Sequence, residues 1–198
     1  MIVIGLTGSI GMGKSEVAKI FLKRGIPVFD SDAEVHGLYD SQRGGDLLRP
    51  LVPAALRNNI VDRKLLSNIV LNDGDLLSKL EAIVHAEIAL RRDSFVAQAK
   101  LAGHAIAVVD VPLLFEKAAA KFVDIAIVVS SPPELQHKRV LARPGMTKER
   151  LKVILDRQMS DSKKRKLADV IIENDGSLAE LETKVLAALT AIESKYRK

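Results

Sequence analysis

The chain contains no cysteine and no tryptophan, and aromatic residues make up only 4% of it. Without cysteine there is no disulfide framework, no zinc–thiolate site and no thiol nucleophile, and the composition fits a reducing compartment. So few aromatics argue against a base-stacking surface for single-stranded nucleic acid. No stretch approaches the roughly 18 consecutive apolar residues of a membrane span. The opening Met1-Ile2-Val3-Ile4-Gly5 lacks the basic start of a secretory signal, so a cytoplasmic location is the expectation. The four histidines, at 36, 85, 104 and 137, show no metal-ligand spacing. What is present is an ordinary soluble balance of 47% hydrophobic and 28% charged residues. Its 198 residues suffice for one domain with a sizeable core and a small insertion. A net charge of +5 favours anionic partners: nucleotide, phosphorylated metabolite or nucleic acid.

The apolar pattern alternates between strand and helix. Ile2–Leu6 reads as a buried strand, and Lys14–Arg24 as a helix with Val17, Ile20 and Phe21 on one face. Ile26–Phe29 is a second strand, running into Asp30-Ser31-Asp32. Ser31 and Glu34 have capping-box spacing for the next helix. Residues 40–104 contain no strong strand signal; Leu77, Leu80, Val84 and Ile88 mark a long amphipathic helix there. Ala105–Val111 and Val123–Val129 are further strands, and Ser131-Pro132-Pro133-Glu134 opens a helix that stops before Pro144-Gly145. Residues 146–166 are basic and helical, Val170–Ile172 is a fifth strand, and Ser177 with Glu180 caps a final helix. The expected fold class is α/β, a mainly parallel sheet with ligands at the carboxyl ends of its strands. The boundaries are a core of 1–32 and 105–198 and a helical insertion of 33–104.

Residues 8–15, Gly-Ser-Ile-Gly-Met-Gly-Lys-Ser, match G-x-x-x-x-G-K-[ST], preceded by a strand and followed by a helix. Glycines let the backbone wrap an anion, and the inward N–H groups and the helix dipole favour its charge. Gly11, Met12 and Gly13 form the cradle, Lys14 reaches the β and γ phosphates, and the Ser15 hydroxyl ligates Mg²⁺ beside ATP. Asp30 and Asp32, after the second strand, suit either proton acceptance and metal ligation or capping of the next helix. Asp110 ends an apolar strand, where a Mg²⁺-ligating carboxylate belongs. Arg139 and Arg143 are four apart and Arg150 and Arg157 seven apart, each pair on one helical face. Their forks suit a transferring phosphoryl group, although a solvated basic face, continued by Lys163-Lys164-Arg165-Lys166, is the plainer reading.

Together these segments resemble the dephospho-coenzyme A kinases. The likeness runs through "GLTGSIGMGKS", "GIPVFDSDAEVH", "VDRKLLSNIV", "LEAIVHAEI", "VVDVPLLFE", "KRVLARPGMT", "RQM" and "ADVIIENDGS". The resemblance implies a P-loop kinase-like three-layer sandwich with a five-stranded parallel sheet, a helical acceptor-binding insertion and a lid at about 139–166. It implies transfer of the ATP γ-phosphate to the ribose 3′-hydroxyl of dephospho-coenzyme A, with Asp32 as the base. Lys14 and Arg143 assist the transfer, and Glu16, Arg139 and Arg143 lie on the ATP side. Arg63, His85, Pro112, Leu113 and Leu114 lie on the acceptor side. It implies no membrane or nucleic-acid partner and leaves a homo-oligomer open.

Two positions depart from the family pattern: Glu16 stands for the usual threonine, and His85-Ala86 for His-Pro. A carboxylate pointed at the phosphates would cost about 4 kcal/mol at about 4 Å and an effective dielectric near 20. Turned outward, to solvent or to Lys19, Glu16 forfeits only a hydroxyl donor, about 1–3 kcal/mol. The rival readings are another small-molecule or nucleoside monophosphate kinase on the same core, and a nucleotide-binding protein weakened by Glu16. A GTPase is disfavoured by the absence of Asn-Lys-x-Asp, and a nucleic-acid binder would have to use the basic segment.

Overall fold

In the computed structural model, which describes residues 1–71 and 73–196, the apolar run at the start forms strand β1 (Ile2–Thr7), buried along most of its length. The glycine-rich loop follows and leads into α1 (Lys14–Lys23), where Val17 and Phe21 are fully buried. Gly25, with a positive φ, turns the chain toward β2 (Val28–Asp30).

The chain divides into two compact units, Phe29–Gln98 and the remainder. The Phe29–Gln98 unit contains α2 (Ser31–Tyr39), α3 (Gln42–Leu48), α4 (Arg63–Val70) and most of α5 (Gly74–Leu101). It also holds a strand pair missed by the sequence reading, β3 (Leu56–Arg57) antiparallel to β4 (Ile60–Val61). Asn58 and Asn59 turn that pair with positive φ, and two-residue strands leave no alternation to detect. Leu38, Leu48, Val52, Val61, Leu66, Leu80, Val84 and Ile88 form the unit's interior. Leu77, expected on the buried face of the long helix, is 39% exposed, because the stripe begins a turn later at Leu80.

The other unit resumes with β5 (Ile106–Asp110), β6 (Ile125–Ser130), α6 (Pro133–Leu141), α7 (Lys148–Asp156), α8 (Asp161–Leu167), β7 (Val170–Glu173) and α9 (Leu178–Tyr196). The sheet order is β2-β5-β1-β6-β7, with β1 parallel to β5 and β6, and β6 parallel to β7. Such strands are buried on both faces and read as unbroken apolar runs. Ile4, Leu6, Val108, Ile127 and Ile172 pack with Val17 and Phe21 of α1 and Leu181, Val185 and Ile192 of α9. Each fully buried side chain of this kind contributes about 1.5–3 kcal/mol.

Three local expectations change. Asp30, not Ser31, caps α2, accepting from the amides of Asp32 and Ala33 at 3.0 Å each. The Ser131 box does not form: α6 starts on prolines, and Ser131 Oγ donates to the Asn174 carbonyl at 2.8 Å instead. The basic stretch 146–166, read as helical, divides into two helices, broken between Arg157 and Ser160 where the chain bends toward β6. The Ser177–Glu180 box forms as read, with Ser177 N–H donating to Glu180 at 2.7 Å and Glu180 N–H to Ser177 Oγ at 3.3 Å. Among the described residues no helix is long and apolar enough to cross a membrane.

Candidate active site

The loop after β1 is held by its outer peptide groups. Gln136 Nε2 donates to the Ile10 carbonyl at 2.7 Å, and the Ile10 N–H donates to Gln158 Oε1 at 3.1 Å. Asn174 Nδ2 donates to the Met12 carbonyl at 2.9 Å. Gly11 and Gly13 have φ of 80° and 93°, which glycine adopts without strain. A Cβ at Gly11 would strike Val140, and one at Gly13 would strike the Asn174 amide. Both positions therefore need glycine for conformation and for space. The amide N–H groups of Gly11, Gly13, Lys14 and Ser15 meet no protein acceptor among the described residues. These groups, with the N-terminus of α1, are available to an anion.

Lys14 Nζ is ion-paired with Asp110, whose residue is only 2% exposed at the end of β5. Strand register explains the meeting: Asp110 pairs with Leu6, one residue before the end of β1. Ser15 lies exposed in the first turn of α1. Glu16 turns to Lys19, Oε1 to Nζ 2.8 Å, with the lysine 69% exposed. Its carboxylate is thus engaged along the helix surface, the outward alternative of the sequence reading. In the Phe29–Gln98 unit, Asp30 is committed to capping, whereas exposed Asp32 accepts no hydrogen bond at its carboxylate among the described residues.

Arg139 reaches the strand ends, where Nη1 donates to Ser131 Oγ and to the Asn174 carbonyl, each at 3.1 Å. Arg143 does not share its helix. It lies beyond the α6 C-cap Ala142 and is exposed, since Pro144-Gly145 ends the helix early. Arg150 is folded back on the Gly145 carbonyl at 2.5 Å. The Pro112 carbonyl accepts from Thr7 Oγ1 at 3.0 Å and Lys164 Nζ at 2.9 Å. Leu113 is partly exposed, and Leu114 is fully buried beside Gly5. In the other unit Arg63 is paired with Asp40 at 2.8 Å, and His85 stands exposed on α5. Glu87 accepts from Arg43 at 3.0 Å, and that bond, with Arg91 beside it, holds its carboxyl below the usual range. Burial, with Glu81 nearby, pushes the Tyr39 hydroxyl up.

The sequence reading missed Gln136, Gln158 and Asn174, because single amides carry no spacing signal. It also took Lys164 for part of a solvated basic run. Lys164 is wholly buried and ion-paired with Glu116 at 3.0 Å.

The dephospho-CoA kinase family model matches residues 2–180. A dephospho-CoA kinase of Brucella melitensis is 46% identical over 195 residues, covering 98% of this chain and 97% of its own. Among solved structures, a Thermus thermophilus protein is 34% identical with a TM-score of 0.78, over 100% of this chain and 98% of its own. The dephospho-CoA kinase of Campylobacter jejuni is 27% identical with a TM-score of 0.73, over 98% of each chain.

Proposed function

The chain belongs to the dephospho-CoA kinase family, and from that premise we propose how its own residues serve the reaction. The protein is a kinase that transfers the γ-phosphate of ATP to the ribose 3′-hydroxyl of dephospho-coenzyme A. The observation that carries the reading is the phosphate loop itself. Among the described residues, four backbone amides meet no protein acceptor, and the adjoining lysine is paired with Asp110.

The amides of Gly11, Gly13, Lys14 and Ser15 bind the phosphate chain as fixed dipoles that need no reorganisation when charge shifts. Lys14 leaves Asp110 for the β and γ phosphates. Asp32 accepts the proton of the attacking hydroxyl. Its uncommitted carboxylate supports that role, while Asp30 is spent on the helix cap. Arg143, exposed after α6, offsets charge on the transferring group, and Arg139 faces the nucleotide from the strand ends. Pro112 and Leu113 serve the acceptor, as do Arg63 and His85.

The donors present suit Mg²⁺. Ser15 offers a hydroxyl and Asp110 a carboxylate, both hard oxygen ligands. Among the described residues no group of three or more His, Cys, Asp or Glu could hold an ion, so phosphate oxygens and water would complete the set around Ser15 and Asp110. When bound, the ion would neutralise phosphate charge. We place the protein in the cytoplasm, with ATP and dephospho-coenzyme A as its small-molecule partners.

The test is incubation with ATP, Mg²⁺ and dephospho-coenzyme A. Coenzyme A is the expected product. Phosphorylation of adenylate or another acceptor in its place would overturn the acceptor assignment.

A further inference from the structure

We propose that Gln136, Gln158 and Asn174 are positioning residues for nucleotide binding, a neutral brace whose hydrogen-bond polarity sets the phosphate loop. The inference rests on the reading of that loop as the ATP site. The three side chains come from separate places: α6, the turn after α7, and the residue following β7. Two of them, Gln136 and Asn174, are 6% exposed. Each meets one peptide group of the loop, and the partners fix which end of each amide faces it. Gln158 accepts from the Ile10 N–H, whereas Gln136 and Asn174 donate to the Ile10 and Met12 carbonyls.

This pattern has a consequence for the anion. The Ser9–Ile10 peptide is held by its N–H, the Ile10–Gly11 peptide by its C=O, and the Met12–Gly13 peptide by its C=O. Because the C=O and N–H of a trans peptide point opposite ways, the N–H groups of Gly11 and Gly13 face away from the brace. Amides do this with no net charge. Gln158 also ties the segment carrying α7 and α8 to the loop, so the arginines of that segment are indexed to the phosphate site. Glu116 supports the same turn by accepting the Met159 N–H at 2.7 Å.

The polarity gives a test that separates brace from bulk charge. Gln158→Glu and Gln136→Glu each place one carboxylate on the backbone of the same residue, Ile10. Gln158→Glu keeps the acceptor that Ile10 N–H needs. Gln136→Glu removes a donor and sets a carboxylate against a carbonyl. Calorimetric titration with Mg²⁺ and ATP, without acceptor, should show Gln158→Glu within about threefold of the parent. Gln136→Glu should be weaker by on the order of tenfold or more. The KM for dephospho-coenzyme A should be unchanged in both. Should Gln136→Glu fail to fold by thermal scanning, Asn174→Asp replaces it, since Asn174 is also a donor. Equal weakening of the acceptor and donor variants, or no weakening of either, overturns the brace. Failure of the parent protein to bind ATP would instead overturn the reading of the loop.

Discussion

Replacing Glu116 by alanine removes the carboxylate that faces a lysine with no exposed side-chain surface. Lys164 is 0% exposed and Glu116 15%, and their charged atoms lie 3.0 Å apart. Without Glu116 the ammonium keeps, among the described residues, the Pro112 carbonyl at 2.9 Å. The Met159 N–H loses its acceptor as well. Breaking a buried pair by removing one partner costs about 3–5 kcal/mol, because the remaining charge is stranded. In a protein of this size each kcal/mol moves the melting midpoint by about 2–4 °C, so Glu116→Ala should lower it by roughly 6–20 °C. Glu116→Gln keeps an acceptor for both donors and should cost less, about 1–3 kcal/mol. The double change Glu116→Leu with Lys164→Met removes both charges and should recover most of the loss. Urea and thermal denaturation of the four proteins measure this. If Glu116→Ala unfolds within about 0.5 kcal/mol of the parent, the ordinary range for surface changes, the buried pair is not holding the segment and the reasoning fails.

Asp32→Asn should lower turnover by on the order of 10²–10⁴-fold while ATP affinity holds, and parent-level turnover would remove Asp32 from the base role. Glu16→Gln should change the ATP dissociation constant by less than about threefold, because the carboxylate is already engaged by Lys19; tightening near 10³-fold, the equivalent of about 4 kcal/mol, would mean that it faces the phosphates. Asp110→Asn frees Lys14, so ATP binding in EDTA should tighten while Mg²⁺-supported turnover falls; weaker binding in EDTA would refute competition for the lysine. The Leu65 amide and Arg57 hold Asp62 low, and Arg43 holds Glu87 low, so their stabilisation is present above the ordinary carboxylate range near pH 4. It is lost as pH falls through the lowered folded values, and Glu87→Gln should flatten the acid limb of the stability curve.

The order of strands and helices was legible because parallel strands buried on both faces leave unbroken apolar runs, as at Ile2–Thr7 and Ile125–Ser130. The phosphate loop was legible because its glycines answer two local demands, positive φ and missing space. Fine capping was not. Asp30 and Ser31 offer equivalent oxygens one residue apart, and only the extended backbone at Asp30 chooses between them. Nor was the burial of Lys164 legible, since its partner Glu116 lies 48 residues earlier and its neighbours in sequence, exposed Lys163 and half-buried Arg165, are also cations. The three brace amides fail for the same reason. Each acts on a peptide group, which has no sequence of its own.

The charges around the loop form one arrangement. Lys14 is held by Asp110, Glu16 is turned along the helix to Lys19, and the brace is neutral. Among the described residues, the anion paired with the loop lysine is therefore Asp110, at a strand end where a carboxylate would suit Mg²⁺. A triphosphate arriving alone competes with that carboxylate for Lys14 and is repelled by it. Were Mg²⁺ bound beside the triphosphate, Asp110 would be one of the residues holding it, and Lys14 would be left for the phosphates. Substituting threonine with Glu16 adds no second barrier so long as the Lys19 contact holds. Glu16→Gln and Asp110→Asn should consequently differ in kind. The first leaves both affinity and metal dependence in place, and the second uncouples binding from the metal. Were the two substitutions to act alike, simple net charge near the loop would explain both, and the specific pairing of Lys14 with Asp110 would explain neither.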